Sequence, residues 1–236
     1  MMRKLLLSVL TVLTALFCMT TPVKAISNVN YYNTPVYNSV FSDPQRTFSI
    51  TYKTDVSKER KKQINNLLNK VPDIIKYDVV QNGFVYIVDG SGAATQNHAG
   101  LTGIPEGILF DGTVVDYGNG IQDQAGFTAI NSATAGKTQM AVIHELGHAV
   151  NFIIANNWGY KDLNYAASLA ADPTWQSIYM EEQAKSGFAS YNRTNATEYF
   201  GEVFRWIFED ETKLDKCPKS RDYIKNVLNQ YYGLEL

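Results

Sequence analysis

Between Met140 and Ile154 the chain runs through Ala141, Val142, Ile143, Leu146, Ala149, Val150 and Ile153, and the same stretch contains His144-Glu145-Leu146-Gly147-His148. Read at 3.6 residues per turn, the apolar side chains cover most sides of one helix, so that helix must be buried nearly all round. Two imidazoles and a carboxylate on a buried helix are costly unless something answers them. A zinc ion does. His144 and His148 stand four residues apart on one face, so both reach a single metal ion, and Glu145 is placed beside the metal's water as a general base. The chain has only three histidines. The third, His98, lies far upstream with no partner at ligand spacing and reads as an exposed loop histidine.

The N-terminus has the form of a secretory signal peptide. Met1-Met2-Arg3-Lys4 is followed by an apolar run from Leu5 to Phe17 and then by Val23-Lys24-Ala25. The run is too short to span a bilayer and is preceded by positive charge, so cleavage is expected near Ala25 and the protein is expected to be secreted. Phe17 before Cys18 argues against lipidation. Loss of residues 1–25 takes Arg3, Lys4 and Lys24 from the 21 basic residues and leaves all 23 acidic ones, for a net charge of −5. That surface gives no electrostatic reason to bind nucleic acid or an anionic membrane. Neither partner is expected, and no later segment reads as a membrane span. Cys217 is then alone, which excludes an internal disulfide. A monomer acting on a protein or peptide is the expectation.

Residues 26–46 are rich in Asn, Tyr, Ser and Pro and predict an irregular arm. Thr47 to Lys53 alternates with a period of two and predicts a strand. Ser57 to about Lys70 carries Ile64, Leu67, Leu68 and Val71 at helical spacing, and Pro72 marks its end. Phe84 to Val88 predicts a second strand closed by Asp89-Gly90. Residues 90–137 read as loops and short strands, one of which should lie along a cleft, since an exposed strand edge binds an extended peptide through its main chain. From Thr138 the chain turns helical. The fold class is α+β: a small N-terminal mixed α/β lobe and a helical C-terminal lobe around the active-site helix, together spanning 47–236.

A catalytic zinc site needs a third protein ligand and an open position. A third histidine six residues beyond His148 is excluded, because position 154 is Ile. An acidic residue on a downstream helix remains. Asn195 to Phe208 has an apolar stripe at Phe200, Val203, Phe204 and Ile207, with Glu198 and Glu202 one turn apart on another face. Asn195 and Glu198 also have capping-box spacing, and Glu202 could be a solvated charge. The missing ligand favours Glu198 on the metal, with Glu202 accepting a hydrogen bond from a ligand imidazole and fixing its tautomer.

The combination of His144-Glu145-Leu146-Gly147-His148, Tyr191 and Glu198-Tyr199-Phe200-Gly201-Glu202-Val203-Phe204 resembles the catalytic domain of the anthrax lethal factor-like metallopeptidases, which include small secreted clostridial enzymes that cut between prolines. In that family the H-E-x-x-H pair is joined by the first Glu of an E-[FY]-F-x-E-x-F segment, and a tyrosine lies seven residues before it, as Tyr191 lies before Glu198. The resemblance covers about 138–232, including Cys217-Pro218 and a last helix from about Arg221 to Tyr232. It implies a zincin-like fold, one catalytic Zn2+, and Tyr191 as hydrogen-bond donor to the developing oxyanion. Proline-cutting members carry Pro-Glu directly before the ligand Glu, whereas this chain has Ala196-Thr197, so the resemblance leaves a proline preference open. The function expected is a secreted zinc metalloendopeptidase. The alternatives are a secreted zinc-containing binding protein without peptidase activity and a zinc hydrolase of cell-wall peptides.

Overall fold

The structure is a computed structural model and describes residues 48–52, 56–82, 84–89, 100–103, 127–131, 137–162 and 166–236. The expected signal peptide (1–25), the arm (26–46) and His98 lie outside the described residues. The N-terminal part begins with β1 (Ile50–Tyr52), whose middle residue is exposed while its neighbours are half-buried, as alternation requires. Next is α1 (Lys58–Leu68), where the Ser57 hydroxyl accepts from the Arg60 N–H at 3.1 Å and Ile64 and Leu68 turn inward.

A helix that the sequence reading leaves out follows. Pro72 does not simply end a helix; it occupies the N-cap position of α2 (Asp73–Gln81). The first helix has already ended at Leu68 with Asn69 as its C-cap, and proline, with no N–H to leave unpaired, suits the start of the next. Ile75 and Val79 of α2 are buried one turn apart.

β2 (Val85–Asp89) pairs in parallel with β1 on one side and β4 (Phe127–Asn131) on the other, and β3 (Gly100–Gly103) runs antiparallel along the far side of β4. The order β1-β2-β4-β3 puts Tyr86, Ile87 and Val88 in an inner strand, buried on successive alternating faces. β3 is an edge. The long helix α3 (Lys137–Trp158) packs against β3, β4, α1 and α2, and the Tyr86 hydroxyl donates to the Val142 carbonyl at 2.7 Å, fastening sheet to helix.

The remainder is helical apart from a short ribbon of β5 (Lys161–Asp162) and β6 (Ala166–Ala167). α4 (Pro173–Glu182) starts with Asp172 as N-cap and Pro173 inside the first turn. A 3-10 turn at Tyr191–Arg193 leads into α5 (Ala196–Glu209), and α6 (Pro218–Tyr232) closes on Gly233, whose φ of 69° is the left-handed conformation that glycine adopts without strain. Two interactions fix where the last two helices begin. The Trp175 indole N–H donates to the Ala196 carbonyl at 3.0 Å, and the buried Glu182 carboxylate accepts from the Ser220 N–H and hydroxyl, both at 2.8 Å, holding the start of α6 against α4. A mixed N-terminal part and a helical C-terminal part thus meet on α3, the α+β arrangement expected.

Candidate active site

α3 presents His144 and His148 one turn apart, both buried, with ring centroids 4.7 Å apart and planes nearly perpendicular. Glu145 is buried beside them, and the three residues offer donor atoms that all lie within 4.8 Å of one another. α5 crosses against this face. The side-chain oxygen of Asn195 accepts from the Thr197 and Glu198 N–H groups at 3.0 and 2.9 Å, so it caps the helix alone. That leaves the Glu198 carboxylate free to turn inward. One of its oxygens stands 3.3 Å from His144 Nε2 and 3.7 Å from His148 Nε2.

Such close approach of two helices needs a missing side chain. A Cβ at Gly201 would come 3.0 Å from His144 Cε1 and 3.1 Å from His148 Cε1, tighter than packed side chains ordinarily tolerate. Gly201 therefore gives the imidazoles their room.

Around His144 the charges are negative. Its Nδ1 lies 3.3 Å from an oxygen of Glu202, a carboxylate that is itself buried. The other Glu202 oxygen accepts from the Trp206 indole at 2.8 Å and from Arg205 at 3.2 Å, and Arg205 pairs further with Glu209 at 3.0 Å. Burial alone would lower the affinity of His144 for a proton, yet the hydrogen bonds and charges of Glu198, Glu202 and Glu145 outweigh it and hold the pKa up at about 10. In the same way, burial pushes Glu198 up, but both histidines pull it well below the usual carboxylate range. A place that retains a proton so strongly is a place built for positive charge, and a metal cation competes for the same lone pairs.

Glu145 faces the other way, towards the sheet edge. The Thr102 hydroxyl lies 2.7 Å from a Glu145 side-chain oxygen and 3.0 Å from its backbone carbonyl. Having one proton, it gives it to the shorter, charged acceptor. Gly100, two residues earlier on β3, lies so close that a Cβ there would run into the Glu145 carboxylate. Tyr191 opens the 3-10 turn before α5 and exposes 63% of its surface. Its hydroxyl end nonetheless feels partial burial and then the Glu198 and Glu145 carboxylates, which push its pKa up to about 12 and keep it a hydrogen-bond donor at neutral pH.

The residues fit a zinc ion. With zinc–nitrogen and zinc–oxygen bonds of about 2.0–2.2 Å, ligand atoms in a tetrahedron stand about 3.4 Å apart. The separations from Glu198 to the two imidazoles bracket that edge. His148 Nδ1 is buried and has no hydrogen-bond partner among the described residues, and the ring stacks against Phe152 with centroids 6.4 Å apart.

The family profile described as "Anthrax toxin lethal factor, N- and C-terminal domain" matches residues 36–227. The chain belongs to that family. The lethal factor match reaches well upstream of the motif-bearing stretch at 138–232 and takes in the sheet, α1 and α2. No curated protein matches the chain. Among solved structures, the PRO-PRO endopeptidase (PPEP-2) from Paenibacillus alvei is similar over 80% of this chain and 99% of that one, with a TM-score of 0.49 and 15% identity.

In this lethal factor family member the structure brings His144, Glu145, His148, Glu198 and Glu202 into one cluster and sets Tyr191 in the field of two of its carboxylates. Sequence reasoning missed Gly100, Thr102, Gly201, Arg205 and Trp206. Arg205 and Trp206 had a signal, standing three and four residues after Glu202 on the same helix face. Thr102 had none, because its contact with Glu145 spans 43 residues of sequence. Among the described residues, no helix is long and apolar enough to cross a membrane.

Proposed function

We propose that the chain is a secreted zinc endopeptidase that holds one catalytic zinc ion through His144, His148 and Glu198. The observation that carries this reading is the single Glu198 oxygen facing both Nε2 atoms at the edge length of a tetrahedral ligand set. Glu145 also lies near both histidines, but the Thr102 hydroxyl engages its carboxylate, which favours keeping it for proton transfer. The signal peptide read at residues 1–25 supports export.

Bound there, zinc supplies Lewis acidity to the attacking water and to the scissile carbonyl. The chain's own groups do the rest. Glu145 takes the proton of the attacking water and delivers it to the leaving amine, passing one proton from nucleophile to leaving group. Tyr191, protonated at working pH, donates to the oxygen that gains negative charge in the transition state. Glu202 accepts from His144 Nδ1, which fixes the tautomer that leaves Nε2 its lone pair.

The test separates metal from chemistry. Glu145→Ala is expected to retain one zinc per chain and to lose peptide hydrolysis, whereas Glu198→Ala is expected to lose the metal with the activity. Zinc analysis and a peptide-library cleavage assay read both. Turnover retained in Glu145→Ala, or zinc retained at full affinity in Glu198→Ala, would sink the assignment. A library left intact by the wild-type protein with zinc bound would indicate a zinc-binding protein instead.

A further inference from the structure

Behind His144, α5 carries a second set of contacts outside the reacting groups. Glu202 turns one oxygen to His144 Nδ1 at 3.3 Å, and its other oxygen accepts from the Trp206 indole at 2.8 Å and from Arg205 Nη1 at 3.2 Å. A glutamate side chain has several free torsions, so a carboxylate held by one imidazole alone would swing. With two donors on the far oxygen, the near one keeps its direction. Arg205 is 6% exposed, and a buried cation needs partners on every side that water has left. Its guanidinium has them. Nη2 donates to one Glu209 oxygen at 3.1 Å, Nε lies 3.0 Å from the other, and the central carbon stands over the Trp206 ring, 4.1 Å from its centroid. Trp206 thus meets Glu202 with its N–H and Arg205 with its face. Arg205, Trp206 and Glu209 stand three, four and seven residues beyond Glu202, on one face of the helix that also supplies Glu198.

We propose that Arg205 is a positioning residue for the metal site: locked between Glu209 and Trp206, it aims Glu202 at His144 Nδ1 and so sets how tightly the site holds zinc; this rests on the zinc reading above. An imidazole that must be turned before it can bind a metal loses affinity by the cost of that ordering, and one whose Nδ1 already faces a braced acceptor does not. Charge alone does not account for the arrangement. A lysine would bring the same positive charge, but an ammonium is a point donor and cannot bridge two carboxylates along its edges while covering an indole face. Among the described residues, the Glu209 carboxylate meets the site only through Arg205. Its effect on the metal must therefore pass through the direction of the guanidinium.

Two variants loosen the clamp without emptying it. Arg205→Lys keeps the buried charge and removes the fork, and Glu209→Gln, at a side chain 11% exposed, keeps an acceptor for one arginine N–H. Wild type and both variants are prepared metal-free, and zinc affinity is measured by chelator competition well below the unfolding temperature of each metal-free form. In a parallel series cobalt replaces zinc, and its visible absorption reports the ligand geometry. Arg205→Lys is expected to hold zinc about tenfold or more weakly than wild type and to shift the cobalt bands, and Glu209→Gln to hold it about threefold or more weakly. A merely structural role would lower the metal-free Tm and leave the affinity and the bands of the folded protein where they were. A smaller loss or unmoved bands in folded Arg205→Lys overturns the inference and leaves the peptidase reading standing. Where that variant does not fold, Glu209→Gln decides, and an affinity within about threefold of wild type overturns it. Wild-type protein that binds neither zinc nor cobalt overturns both.

Discussion

Glu145 is held by a residue that the H-E-x-x-H motif does not contain. Its carboxylate receives the Thr102 hydroxyl at 2.7 Å, and its stem is crowded by the bare backbone of Gly100, so β3 fixes this carboxylate from the side of the sheet. A hydrogen bond to a charged acceptor contributes about 1.5–3 kcal/mol. If that positioning matters in the transition state rather than in binding, Thr102→Val should lower kcat by roughly ten- to a hundredfold with KM and zinc content unchanged. Thr102→Ser, which restores the hydroxyl, should recover most of the rate. Steady-state kinetics with zinc analysis check this, and a Ser variant as slow as Val would show that β3 matters only for packing. Glu202 is supported in a comparable way, by Trp206 and Arg205 one turn further along α5.

At the scale of elements, the site is the crossing of α3 and α5, and Gly201 sets how closely they cross. Replacing it with alanine puts two effects in opposition. Alanine favours a helix interior by about 1 kcal/mol over glycine, but its Cβ would stand 3.0 Å from His144 Cε1 and 3.1 Å from His148 Cε1. The imidazoles are hemmed in by Glu198 and Glu202, so they cannot both yield without losing those partners. Gly201→Ala should therefore leave the metal-free Tm within a few degrees of wild type while weakening zinc at least tenfold. Chelator competition together with unfolding scans measures both, and unchanged zinc affinity would mean that α5 shifts at no cost to the site. This pair of helices was also the most legible part of the sequence. α3 announces itself because its apolar residues and its histidines obey one period, and α5 because Asn195 and the stripe at Phe200, Val203, Phe204 and Ile207 mark its start and its buried face. α2 was not legible, because a proline just past the end of one helix reads as a stop and hides that another begins directly behind it. β3 is four residues bounded by glycines, and its meaning lies in what it touches across the fold.

Across the whole molecule, the N-terminal helices and the last helix are joined by a buried acid. Asp78 of α2 is 0% exposed; it accepts from the Tyr232 hydroxyl at 2.8 Å and from the Asn82 amide at 2.9 Å. Burial raises its pKa to about 7 despite those two hydrogen bonds. Folded Asp78 thus holds its proton more tightly than unfolded Asp78, whose pKa is about 3.9. Its contribution to stability is complete below about pH 4 and is lost as pH rises to about 7, beyond which the loss stays constant. The gap corresponds to about 4 kcal/mol at most. Asp78→Asn removes the titration and keeps an oxygen for the Tyr232 hydroxyl, though its amide must find a way to meet Asn82, which takes back part of the gain. The variant should therefore unfold at a higher temperature than wild type at pH 8, and its advantage should shrink steadily towards pH 4.5. Thermal unfolding across that range decides it, and an advantage independent of pH, or a deficit at pH 8, would show that Asp78 is ionised in the fold and that its two hydrogen bonds outweigh the burial of its charge.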